Sequence, residues 1–175
     1  MQAKTQPNAW AALEKLHGDA TEKIVLDDLC KTLDSQGVLN VLRHGFKSFG
    51  KRLRIAFFAP PTSMNPETEK LYEANWLTVT RQLMFSPNST KSLDVTLSLN
   101  GLPVATAELK NPLSGQNFRH AINQYKHDRD PKEKIFQFER GALEHFAVDP
   151  EEVHMTTRLA WESTYFLPFN KGCDD

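Results

Sequence analysis

The hydrophobic and polar positions of this 175-residue chain fall into two regimes, one of helical period and one of period two. From residue 9 to about 48, Trp10, Leu13 and Leu16, then Ile24, Val25, Leu26, Leu29 and Leu33, recur at helix-like spacing, and Gly18, Gly37 and Gly45 punctuate the segment. The pattern predicts a helical arm. Residues 53–58 form a short extended piece that ends at Pro60-Pro61, and 60–66 reads as a loop. Residues 67–75 can form a short helix with acids in its first turn, where the helix dipole favours negative charge.

From Trp76 the period changes. Leu77 and Val79 alternate with Thr78 and Thr80, and Leu93, Val95 and Leu97 alternate with Asp94, Thr96 and Ser98, which predicts two strands around a turn at Ser86-Pro87-Asn88-Ser89. A third strand, 104–110, follows Asn100-Gly101. Phe118, Ala121, Ile122 and Tyr125 then make the apolar stripe of an amphipathic helix over 116–129, closed by Pro131. Residues 143–148, 153–157 and 165–169 read as further strands. The expected organisation is a mixed α/β (α+β) fold, with the helical arm over 1–50 and the core over 51–175.

Within this frame Asp94, Glu108 and Lys110 are the residues that can carry chemistry. Metal-assisted phosphodiester hydrolysis needs hard oxygen ligands that converge on Mg²⁺ and a nearby ammonium to stabilise developing charge. Glu108 and Lys110 are two apart on one strand and share a face. Asp94 joins them only if the hairpin has the right parity. A two-residue Asn100-Gly101 turn would put Asp94 on the opposite face, whereas a three-residue loop, Leu99-Asn100-Gly101, puts Asp94, Thr96, Ser98, Glu108 and Lys110 together. The three-residue loop also gathers Leu93, Val95, Leu97, Pro103, Ala105, Ala107 and Leu109 on one apolar face, so it is the expected register. Ala105 and Ala107 would let a helix pack closely there.

Composition narrows the class. A hydrophobic fraction of 39% and a charged fraction of 25% place the chain among soluble globular proteins. No apolar run approaches the roughly 20 residues that span a bilayer, and the first residues lack the apolar segment of a signal peptide. Cys30 and Cys173 have no zinc-type spacing, which fits free thiols in a reducing cytoplasm. The formal net charge is −1. Proteins that hold nucleic acid by themselves show a basic excess, because phosphate contacts supply most of the affinity. If the substrate is DNA, the basic residues cluster on one face or another component holds it.

An Asp across a hairpin from Glu-x-Lys, with a helix following, resembles the PD-(D/E)xK nuclease superfamily. The resemblance is closer to one member. Ser92-Leu93-Asp94, the run from Asn100-Gly101-Leu102 through Glu108-Leu109-Lys110-Asn111-Pro112, and Ala121-Ile122-Asn123-Gln124-Tyr125-Lys126 resemble the N-terminal nuclease domain of type I restriction enzyme R subunits. So do Asp128-Arg129-Asp130-Pro131, His145-Phe146-Ala147-Val148-Asp149, Met155-Thr156-Thr157-Arg158-Leu159 and Phe166-Leu167-Pro168-Phe169-Asn170-Lys171-Gly172.

The resemblance implies a restriction-endonuclease-like core, a central mixed sheet flanked by helices, that cleaves double-stranded DNA with Mg²⁺ inside a complex with methyltransferase and specificity subunits. It makes Asp94 and Glu108 metal ligands, joined by the Leu109 carbonyl, and Lys110 the catalytic lysine. Many relatives carry Gln-x-x-x-Tyr on the next helix to position DNA. Here Gln124 matches the Gln, but the fourth residue on is Asp128 and Tyr125 is adjacent, so Gln124 is kept as a site residue and Tyr125 fits the core better. Lys126 and Arg129 are candidate phosphate contacts, and Glu73 a candidate further carboxylate. No Gly-x-x-x-x-Gly-Lys-[Ser/Thr] loop is present, so ATP enters only through motor domains expected further along a longer chain. A non-cleaving binding or docking module, and a structural domain acting through its helical arm, are the competing readings.

Overall fold

Pro7 sits at the start of the first long helix, where its fixed φ suits the helix and its missing N–H costs nothing. The computed structural model describes residues 2–61, 65–87 and 89–170. Asn88 of the expected 86–89 turn, Cys173 and the end of the chain lie outside the described residues. Two compact units emerge, Met1–Trp76 and Leu77–Asp175.

The first unit holds α1 (Gln2–Thr5), α2 (Pro7–His17), α3 (Thr21–His44), β1 (Phe46–Ser48), β2 (Lys51–Leu53) and α4 (Pro66–Glu73). It runs further than the expected arm and includes α4. The arm is not one rod: Gly37 inside α3 has φ 82° and ψ 167°, which breaks the helical path. Gly45 ends α3 at φ 71°, where an added Cβ would stand 2.1 Å from the Leu53 carbonyl oxygen. This close approach lets β1 and β2 pair antiparallel, with Phe46 opposite Leu53. The helical reading to residue 48 missed that hairpin, and of the extended piece 53–58 only Leu53 is in a strand. Leu13, Val41 and Leu53 are fully buried and centre this unit's core. Asn65 caps α4 by accepting from the N–H groups of Glu67 and Thr68. Among the described residues, no helix is long and apolar enough to cross a membrane.

The second unit is a six-stranded sheet in chain order: β3 (Leu77–Met84), β4 (Ser92–Leu99), β5 (Leu102–Leu109), β6 (Glu144–Val148), β7 (Val153–Thr156) and β8 (Leu167–Asn170). All neighbours are antiparallel except β5 and β6, which run parallel. A parallel pair needs a long crossover, and α5 (Phe118–His127) lies within it. The sheet is mixed, as expected. Asn117 and His120 close a capping box at the start of α5.

The hairpin between β4 and β5 corrects the expected loop. Leu99 pairs with Leu102, so Asn100-Gly101 is a two-residue turn, and both residues have positive φ, 52° and 89°. The register then shifts: Ser98 pairs with Pro103, but Leu97 pairs with Ala105. Val104 is the extra residue of a bulge on β5. The parity change assigned to an odd loop is supplied by this bulge. Beyond it Thr96 pairs with Thr106 and Val95 with Ala107, which carries Asp94 and Glu108 onto one face.

The packing of that face corrects a second expectation. The helix α5 does not cover Ala105 and Ala107. Its Tyr125 hydroxyl bonds Thr106, so it covers the polar side. Thr96, Thr106, His145 and Thr156 are buried and paired in register, a polar row across four strands. Thr106 Oγ1 lies 2.8 Å from both Tyr125 Oη and His145 Nδ1. Polar groups paired in this way, as Thr106, Tyr125 and His145 are, can be buried at little net loss. Leu97 and Leu109, on the other face, stay about half exposed. Beside the polar row, Leu93, Tyr125, Ile135, Phe136, Ala142 and Leu159 form the apolar core.

Candidate active site

The site is assembled on the ends of β4 and β5. Asp94 is half-buried on β4. Its Oδ2 accepts from the backbone N–H of Leu109 at 2.8 Å, and its Oδ1 accepts from Gln82 Nε2 at 3.1 Å. Both oxygens are therefore held, one by the strand that carries Glu108. Glu108 is 0% exposed. Lys110 follows the end of β5, where its N–H donates to the Val148 carbonyl at 2.9 Å and extends the pairing with β6. Its ammonium donates to Gln124 Oε1 on α5. The structure thus brings Asp94, Glu108, Lys110 and Gln124 together.

Arg129 was expected at a phosphate and stands elsewhere. It is 3% exposed and is paired with Glu108. Burial explains the change: a carboxylate removed from water needs a partner, and a residue two positions past α5 is close enough to supply one. Nε lies 2.8 Å and Nη2 2.6 Å from the same oxygen, Oε1. Nη2 also donates to the Ser92 carbonyl at 2.9 Å. Lys126 is half-buried and donates to the Glu162 carbonyl at 3.2 Å. Tyr125 is fully buried against Thr106, so it serves the core. Glu73 is exposed at the end of α4, in the first unit.

Glu108 has unusual electrostatics. Loss of water, with a smaller push from the neighbouring Asp94 charge and carboxyl contact, raises its carboxyl to about 7 against the pull of Arg129. Its Oε2 is buried and has no hydrogen-bond partner among the described residues. Two facing carboxyl groups with one oxygen unsatisfied call for a cation between them, either a shared proton or a metal. The donor set suits a hard divalent ion. Among the described residues no third Asp, Glu, His or Cys joins the group.

Sequence reasoning missed Gln82 and the role of Arg129. Gln82 has no motif of its own, and its φ of 51° breaks an otherwise regular strand opposite Asp94. Arg129 lies in the Asp-Arg-Asp-Pro block, but only three dimensions show that it faces Glu108.

The second unit is thus a mixed α/β module that brings two carboxylates and a lysine together on one sheet. The chain belongs to the family of type I restriction enzyme R protein N-terminal domains, whose model matches residues 3–164. No curated protein and no solved structure gives a significant match to the chain.

Proposed function

We propose that this chain is the Mg²⁺-dependent nuclease domain of a type I restriction R subunit, with a PD-(D/E)xK core, and that it hydrolyses phosphodiester bonds of double-stranded DNA. The observation that carries this reading is the convergence of Asp94 and Glu108 on one sheet face with Lys110 at the strand end. Asp94, Glu108 through Oε2 and the Leu109 carbonyl would hold the ion. When bound, the ion polarises the phosphate and lowers the pKa of a coordinated water. Lys110, steadied by Gln124, stabilises negative charge that develops on the phosphate oxygens. Family membership supports DNA as substrate and a restriction complex as setting. The methyltransferase and specificity subunits, and ATP-driven motor domains of the same full-length subunit, would bring DNA to the site in the cytoplasm. An intact Asp-Glu-Lys set favours cutting over a purely docking role.

Asp94→Ala in the assembled complex tests this. Cleavage should fall by at least about a thousandfold while ATP hydrolysis and translocation persist. Retained double-strand cleavage would rule out the assigned role.

A further inference from the structure

An arginine paired with a carboxylate frequently lays its planar fork across both oxygens. Arg129 does not. Nε and Nη2 both address Oε1, at 2.8 and 2.6 Å, and Oε2 is left without a partner. The guanidinium is locked in this pose from three sides. Nη2 donates to the Ser92 carbonyl at 2.9 Å, the Phe85 ring lies 5.4 Å from the guanidinium carbon, and the side chain is almost wholly buried.

Resting on the metal-site reading above, we propose that Arg129 is a metal-specificity residue: by occupying Oε1 it limits Glu108 to one ligating oxygen and biases the site toward small octahedral ions over Ca²⁺. The size argument is direct. Ca²⁺ takes six to eight oxygens in flexible geometry and readily accepts both oxygens of one carboxylate, whereas Mg²⁺ requires near-ideal octahedral placement. A carboxylate with one oxygen withheld cannot chelate. Outer groups that fix a ligand's orientation commonly alter metal affinity ten- to a hundredfold.

The test uses the full chain, stripped of metal and titrated calorimetrically with MnCl₂ and with CaCl₂. In Arg129→Lys the positive charge stays and the fork is lost, so Mn²⁺ binding should persist while preference for Mn²⁺ over Ca²⁺ falls about tenfold. An unchanged preference in a folded Arg129→Lys protein overturns the proposal. A second measurement needs no Arg129 variant. The infrared carboxylate stretches of Glu108, assigned by difference from Glu108→Gln, should show one-oxygen coordination with either ion. Two-oxygen coordination with Ca²⁺ in the unaltered protein overturns the proposal. If the unaltered chain binds neither ion, the nuclease reading falls and this inference with it. If it binds Mn²⁺ through Asp94 and Glu108 with a preference indifferent to Arg129, only this inference falls.

Discussion

Two buried titratable residues set opposite pH slopes in the metal-free chain. Glu108 titrates near 7 in the folded protein against an ordinary 4.5, so between those values the folded state holds a proton that the unfolded state has released, and stability falls as pH rises. His145 is lowered by burial to about 4 from 6.5, so across that interval the unfolded state binds the extra proton, and stability rises with pH. Each effect amounts to about 3 kcal/mol. The slopes oppose between 4.5 and 6.5. Denaturant midpoints of the metal-free chain should therefore change little there, and His145→Gln should unmask a decline with rising pH. A second residue-scale prediction concerns Thr106, which joins Tyr125 to His145. Thr106→Val keeps the shape and leaves two buried polar groups unsatisfied, at a cost of about 3 kcal/mol in chemical denaturation.

Among the elements, the β4–β5 hairpin shows what was legible and what was not. The alternation of Asp94, Thr96 and Ser98 with Leu93, Val95 and Leu97 fixed the strands, and the requirement that Asp94 meet Glu108 was correctly placed on parity. The device was misread because Asn100-Gly101 does make its ordinary two-residue turn, while the extra residue, Val104, is a β-branched residue with nothing local to mark a bulge. The buried face was misread for a different reason. Thr96, Thr106 and Thr156 look like solvent-facing positions, yet all three are buried: Thr106 is satisfied by Tyr125 and His145 and Thr156 by the Arg158 carbonyl, neither of which local sequence reveals. In the first unit, β1 is likewise hidden in a helical pattern, because what ends α3 is the contact of Gly45 with the Leu53 backbone. Gly45→Ala combines a positive φ with a Cβ at 2.1 Å from that oxygen. It should destabilise the first unit by about 3 kcal/mol, read as a loss in thermal or denaturant stability.

For the whole molecule, the sequence resemblance carried the family and the expectation of a mixed sheet, whereas element order alone gave the mixed α/β class. Net charge carries a further expectation. With a formal charge of −1, the chain lacks the basic excess that grips phosphate. The isolated chain should show only weak DNA binding, about 10⁻⁴ M or poorer at physiological salt in a mobility-shift or anisotropy titration. Tight, salt-sensitive binding would place the DNA grip in this domain rather than in its partners. The central claim, that Asp94 and Glu108 share one divalent ion, is tested most directly by the anomalous scattering of a Mn²⁺-soaked crystal. A single peak bounded by the Asp94 carboxylate, Glu108 Oε2 and the Leu109 carbonyl is the expected result, and a well-loaded crystal with no peak between the two carboxylates would contradict it.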